Sequence, residues 1–374
     1  MSNVGDKLLF DLTPTPEQQL MRETVRRFVQ REMTAKQVRA ADEAGQEPAG
    51  FYDHVLELGF GLVAIPEDLG GLGFARSPVG NTLLAEDLAY GDMALAIGSL
   101  ASLSFTNAVL DQGSLELQSQ VLPAFTGETS RFGALALQEP GLGSRPAQPQ
   151  MRARRDGANY ALSGVKCMVP LVDRAEWFLV SALCEDGSLG AFVVPSDADG
   201  VSLQRSAYMG LRPLALGEVS LTNVQVPAGY VLGTAEQPFA LDRLLALSRI
   251  GLAAVTVGTC QALLDYVKDY CNDRVAFGEP ITNRQSVAFM IADIAIELDG
   301  LRLLTYRAAS RAEQGLPFVR EAFLAKLQAG EKGMAMGSDG VQLLGGHGFI
   351  RDHMVELYYR NLRSIAVLEG ALCV

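Results

Sequence analysis

Two features toward the carboxyl end of the chain carry chemistry: the glycine-rich turn Gly345-Gly346-His347-Gly348, and Glu369 at the end of the apolar run Ile365-Ala366-Val367-Leu368. A carboxylate among aliphatic neighbours holds its proton more tightly, because apolar surroundings disfavour the charged form. That suits a base that must take a proton from carbon. The glycines let a bulky ligand approach the backbone where a side chain would stand in the way. Each feature also has a plainer reading, the turn as a helix C-cap and Glu369 as a solvated residue at a helix end. Local pattern leaves both open.

The totals narrow the classes of function. A chain of 374 residues is long enough for two or three domains. Hydrophobic residues make up 48% and charged residues 20%, proportions that belong to folded globular protein and not to disorder. The 31 Lys+Arg against 43 Asp+Glu leave a net charge of −12, so nonspecific attraction to nucleic acid or an anionic membrane is disfavoured. A phosphate-bearing ligand therefore needs a local basic pocket. The five cysteines, Cys167, Cys184, Cys260, Cys271 and Cys373, show no CxxC spacing and fit reduced thiols of a cytoplasmic protein. His54, His347 and His353 form no HxxxH pattern, so no metal site is expected, and no GxSxG elbow marks a serine hydrolase. The first residues lack a basic start followed by an apolar core, and no apolar run reads as long enough to cross a bilayer.

Three textures follow one another along the chain and imply an α+β fold. Residues 1–130 read as an N-terminal α-helical domain. Thr15-Pro16-Glu17 opens an amphipathic helix expected to run to about Ala44, and a second spans Phe51 to Leu58. The loop Gly70-Gly71-Leu72-Gly73 lacks the strand and Lys-Ser/Thr pair of a P-loop and reads as a surface turn. From Val79 to Phe125 helical spacing resumes, with small residues such as Ala94, Gly98 and Ala101 that permit close helix approach. Residues 131–236 alternate in short segments separated by Asp156-Gly157, Glu185-Asp186-Gly187 and Asp197 to Gly200, the pattern of a middle antiparallel β-domain. Residues 237–374 return to long helices, at 239–272, 283–314, 318–344 and after Arg351, which imply a C-terminal four-helix bundle.

This order of domains, together with a set of motifs, resembles the acyl-CoA dehydrogenase family over essentially the whole chain. The matching pieces are Leu137 to Ser144 (LQEPGLGS), Leu162 to Lys166 (LSGVK), Tyr208 to Arg212 (YMGLR), Val224 to Pro227 (VQVP), Arg274 to Ile281 (RVAFGEPI), Gln285, Gln342 to Gly346 (QLLGG) and Leu368 to Gly370 (LEG). Each is weak alone. Their joint occurrence in order is specific.

The resemblance implies a noncovalent FAD between the β-domain and the bundle, a homotetramer or heterotetramer, and electron-transfer flavoprotein as the electron acceptor. It implies that Arg274, Phe277 and Gln285 hold the FAD of an adjacent subunit, that Gln342 and Gly346 make a second dinucleotide contact, and that Ser144 lies near the pyrophosphate. Gln138, Met168 and Pro170 fall at positions that face the flavin. Glu369 falls where most of the family carries the base that removes the α-proton of an acyl-CoA while the β-hydrogen leaves as hydride, giving the trans-2-enoyl-CoA. The thioester oxygen is then expected to be held by the Glu369 backbone amide and a flavin hydroxyl. Arg249, Leu368 and Gly370 fall at the substrate. Some relatives place the base just before the arginine matched by Arg249, where this chain has Ser248.

Several positions depart from the family pattern. Met168-Val169-Pro170 stands where an aromatic, an aliphatic and a threonine or serine are usual. Proline has neither a side-chain donor nor a backbone N–H, so a flavin hydrogen bond is lost there. Gln138 replaces threonine or serine, Arg145 replaces an acid, Ala371 replaces a threonine, Ala246 lies where some relatives carry a CoA-contacting acid, and the sequence ends at Val374 short of a final helical extension. These departures support an alternative, a catalytically altered or inactive subunit of a hetero-oligomer. They also support a third reading, a flavin oxidase or monooxygenase on the same scaffold. Retention of Glu369 favours the dehydrogenase.

Overall fold

The computed structural model describes residues 13–141, 145–233 and 238–374. Thr15 and Thr34 each start a helix by the same reciprocal cap. The threonine oxygen accepts the N–H three residues on, and Gln18 or Gln37 returns to the threonine N–H. The second cap is why the helix expected to run unbroken to Ala44 is two, α1 (Pro16–Glu32) and α2 (Ala35–Ala44). Next come α3 (Phe51–Leu56), α4 (Pro78–Gly91), α5 (Met93–Gln112) and α6 (Leu115–Val121).

The β-domain holds β1 (Gly133–Ala136), β2 (Arg152–Asp156), β3 (Asn159–Val169), β4 (Trp177–Cys184), β5 (Leu189–Pro195), β6 (Val201–Arg205), β7 (Gly217–Pro227) and β8 (Val231–Leu232). They join in the order β6-β7-β3-β2-β4-β5-β8, with β1 also against β4. The sheet is mixed, which corrects the expectation of an antiparallel one. Strand β4 pairs parallel with both β1 and β2, while the remaining pairs are antiparallel. Parallel neighbours need a crossover, and the segments between β1 and β4 supply it.

The bundle is α7 (Leu241–Asp273), α8 (Gln285–Glu313), α9 (Val319–Leu343) and α10 (Val355–Ile365), with the small hairpin β9 (Val275–Ala276) and β10 (Glu279–Pro280) between α7 and α8. Helix α7 packs against α4, α8, α9 and α10. Both α5 and α7 are long and apolar enough to cross a membrane by length and composition, contrary to expectation, yet 89% and 78% of their most apolar windows are buried inside the protein. Their apolarity is that of helices covered on most sides by other elements of the fold.

Polar groups lock α10 to the N-terminal helices. Asp92 caps α5 by accepting the Leu95 N–H at 2.9 Å, and Asn361 donates to its other oxygen at 3.2 Å while accepting the Leu211 N–H at 2.8 Å. The Arg360 guanidinium pairs with Asp42 and Glu356, each at 2.7 Å. Burial pushes the Asp92 carboxyl up to about 6, against the pull of its backbone donors. Because the folded-state value is raised, the stability this group contributes is complete below the unfolded value of 3.8 and is lost as pH rises through about 6. Thermal unfolding between about pH 4 and about pH 7 should therefore show the wild type losing up to about 3 kcal/mol relative to Asp92→Asn. Parallel pH curves for the two proteins would remove Asp92 from the account.

Candidate active site

The segment after α10 is shaped to present one carboxylate. Val367 and Leu368 donate their N–H groups back to the Ser364 carbonyl, both at 3.0 Å, which closes the helix end. Gly370 has φ of +69°, and a Cβ there would come within 2.9 Å of Leu137, so glycine lets the chain turn inward directly after Glu369. Leu368 and Ala371 on either side are buried, while the Glu369 side chain keeps 24% exposure.

Its surroundings are not apolar, which corrects the expectation drawn from the preceding aliphatic run. The Arg249 guanidinium, on α7, lies 3.2 and 3.4 Å from the two carboxylate oxygens and sits 5.6 Å from the centre of the Phe323 ring. Lys326 on α9 brings its ammonium to 3.8 Å from Oε1. The aliphatic run misled because Val367 points outward and is half exposed. Burial pushes the Lys326 ammonium below the usual lysine range, with Glu369 opposing that and Arg249 reinforcing it. Lys326 escaped the sequence reading. The one pattern that bears on it is alanine four residues before and three after, Ala322 and Ala329, on a helix face that the structure buries.

The β-domain meets this loop through Gln138. Its side-chain oxygen accepts the Glu369 N–H at 3.1 Å, its amide nitrogen donates to the Val367 carbonyl at 3.0 Å, and its own carbonyl accepts the Cys167 N–H at 2.8 Å. The backbone amide expected to hold a thioester oxygen is therefore already bonded. A glutamine is long enough to reach across, whereas the usual threonine or serine is shorter.

One residue along, Glu139 anchors the same loop from beneath. Lys166, fully buried on β3, donates to Glu139 at 2.8 Å, to Ser181 at 3.1 Å and to the Leu137 carbonyl at 3.3 Å. Glu139 also accepts the N–H groups of Gln150 and Met151, at 2.6 and 3.0 Å. Burial works against the Glu139 carboxylate, but Lys166 and these N–H groups outweigh it and hold its pKa below the usual range. Burial likewise pushes Lys166 down, opposed by Glu139. At the end of β3, Met168 takes a positive φ of 56°, and Leu171 just past the strand one of 52°, on either side of a buried Pro170. Met168 packs against the large core cluster to which Leu171 and Leu368 both belong.

The other expected site residues gather elsewhere. Arg274 caps α7, Phe277 is 95% exposed with the Arg284 guanidinium 5.7 Å from its ring, Gln285 begins α8, and Gln342 lies in the last turn of α9. A hydrogen bond of 2.7 Å between Tyr270 and His347 ties the Gly345–Phe349 turn to α7 at this same end. Sixteen residues of α9 separate Lys326 from Gln342, about 24 Å, and α7 carries Arg249 and Arg274 about 38 Å apart. One chain thus does not bring its own exposed cluster to its own Glu369. Ser144 lies outside the described residues, and Ala246 is fully buried.

The exposed cluster suits the dinucleotide part of a flavin cofactor. Among the described residues the Arg274 guanidinium has no acidic partner, Gln285 and Gln342 side chains have none either, and a Cβ at Gly346 would meet nothing within 4 Å. Arginine pairs with pyrophosphate, and open glycine amides admit it. The ring-facing side fits less closely, since the Gln138 amide is committed to the Glu369 loop and Pro170 offers no donor.

Comparison with known proteins identifies the family. The family models for the acyl-CoA dehydrogenase N-terminal, middle and C-terminal domains match residues 15–128, 134–224 and 239–372. The chain belongs to the acyl-CoA dehydrogenase family, FAD-dependent oxidoreductases of acyl-CoA thioesters. It is 31% identical over 361 residues to the mitochondrial short-chain specific acyl-CoA dehydrogenase of Bos taurus, covering 94% of this chain and 86% of that protein. Among solved structures, the butyryl-CoA dehydrogenase of Megasphaera elsdenii is 27% identical with a TM-score of 0.88, covering 96% of both chains. A glutaryl-CoA dehydrogenase of Mycobacterium smegmatis, solved in complex with FADH2, is 25% identical with a TM-score of 0.85, covering 98% of this chain and 93% of that one.

Removing one member of the buried pair leaves the other charged and unpaired. Lys166→Met should therefore cost about 3–5 kcal/mol in denaturant unfolding. A loss below about 1 kcal/mol would mean the pair does not anchor the Gln138 loop.

Proposed function

We propose that the protein carries out FAD-dependent α,β-dehydrogenation of an acyl-CoA thioester to the trans-2-enoyl-CoA, with Glu369 removing the α-proton. The observation that carries this reading is a partly exposed carboxylate fixed at the junction of the bundle and the β-domain, held by residues from α7 and α9. When bound, FAD supplies the acceptor for the β-hydride. The chain's own task is to hold a carboxylate oxygen against the α-carbon and to stabilise negative charge on the thioester oxygen. For the second task the Glu369 N–H has to exchange Gln138 for the substrate, because a donor aimed at a developing oxyanion is worth about 3–4 kcal/mol. Leu368 and Gly370 flank that amide, and Arg249 bounds the substrate side of the carboxylate.

Arg274, Phe277, Gln285, Gln342 and Gly346 would hold the dinucleotide of a neighbouring subunit, which makes an oligomer part of the reading. Exposed apolar faces support it: Phe289, Ile296 and Leu303 recur at seven-residue steps on α8, with Phe323 and Leu327 half exposed on α9. A tetramer, of one chain or two, that passes electrons to electron-transfer flavoprotein in the cytoplasm completes the proposal. Free thiols at all five cysteines accord with that compartment.

A second reading is favoured by the Gln138 bridge and by Pro170, which together leave the ring-facing side short of donors. It takes the chain as the altered subunit of a hetero-oligomer, contributing its exposed cluster to a partner's FAD.

Purification separates the two. A yellow protein whose flavin absorbance is bleached by acyl-CoA without oxygen supports the dehydrogenase, and a colourless, folded protein that refuses added FAD supports the altered subunit. In the first case Glu369→Gln should still bind acyl-CoA while flavin reduction slows on the order of 10²–10⁴-fold. Reduction at the wild-type rate would move the base to another residue.

A further inference from the structure

We propose that Lys326 is a positioning residue for Glu369, forming with Arg249 a two-cation clamp that fixes the carboxylate and yields once the carboxylate has taken up a proton. This rests on the reading of Glu369 as the base. Lys326 is 7% exposed on α9, and Glu369 is the acidic partner it has among the described residues. The charged groups facing it are Glu369, from the loop after α10, and Arg249, from α7. A buried ammonium whose one counterion among the described residues is shared with an arginine has no evident structural use, since an apolar residue of that length would pack without the cost.

The chemistry gives it one. While Glu369 is a carboxylate, one anion faces two cations from two helices, and contact on both sides fixes the orientation of the group. When the α-C–H bond breaks, its proton passes to a Glu369 oxygen and its electron pair stays with the substrate carbon. The carboxylic acid no longer attracts either cation. Arg249 cannot shed its proton. Lys326 can pass its proton to solvent water at the partly exposed Glu369 opening, because burial already works against its charge and the group that opposed burial has just been neutralised. The clamp therefore grips before proton transfer and lets go after it.

In the holoenzyme, Lys326→Met should lower kcat about tenfold while KM for acyl-CoA stays within about twofold, as expected for a group that acts through another and does not bind the ground state. As pH rises, wild-type kcat should fall below the ordinary lysine range, where the ammonium loses its proton. That limb should be absent in Lys326→Met, and in Lys326→Arg it should move out of range with most of the rate recovered. A kcat and an alkaline limb equal to wild type in Lys326→Met would overturn the proposal. Should that variant fail to fold, an unchanged limb in Lys326→Arg does the same. Thermal unfolding of the resting protein tests the clamp without turnover. Glu369→Gln leaves two cations facing each other, so Lys326→Met should raise Tm in that background and not in the wild type. Equal shifts in both backgrounds overturn the clamp. Unequal shifts in a protein that reduces no acyl-CoA retain the clamp and overturn the dehydrogenase reading beneath it.

Discussion

Glu369 touches cations that stand on two different helices, and a single carboxylate can do so only if α7 and α9 lie side by side at the right height. Much of the fold serves that constraint. Helix α7 is wrapped by α4, α8, α9 and α10, which leaves it little freedom to shift along its axis. The Asp92–Asn361 contact and the Arg360 pairs hold α10, and thus the loop that bears Glu369, against the N-terminal helices. From the other side the β-domain reaches in through Gln138, whose own loop is anchored by the buried Lys166–Glu139 pair. Interior charges are costly, and here each has an opposite charge or a hydrogen bond to offset the desolvation.

Distance supplies the second organising fact. Rigid helices of 25 and 33 residues keep the Glu369 end and the Arg274–Gln342 end of the bundle apart. The proposed site residues therefore fall into two groups at opposite ends of the bundle. On the proposed reading completeness would come from association, for which the outward apolar residues of α8 and α9 offer apolar area.

The architecture was largely legible because punctuation and periodicity are local. Capping threonines, Gly-Pro breaks and turn dipeptides mark most elements to within a few residues. What escaped was decided by tertiary contacts. Nothing in residues near Thr34 forbids a continuous helix except the cap itself, which was visible and overlooked. The parallel pairing of β4 depends on which strand arrives beside it, and strand patterns carry no such information. Glu369, Arg249 and Gln138 were picked out through the family resemblance, and the structure brings them together. Lys326 was missed because a single lysine on an apolar helix face looks like a register error unless the carboxylate opposite is already known. Gln138 was recognised as a substitution, but its reach to two backbone groups of another domain follows only from coordinates.

The burial of α5 and α7 bears on how the molecule is made. Each is as apolar as a membrane anchor, so either one left uncovered on a nascent chain would be a hazard. Helix α5 is synthesised first and has α4 for cover from the outset, whereas α7 leaves the ribosome only after the whole β-domain. Of the helices it packs against, α4 and α5 precede it along the chain, while α8, α9 and α10 follow. The order of elements along the chain thus sets a limit on assembly: the apolar faces of α7 are fully covered once the helices that follow it have joined the bundle.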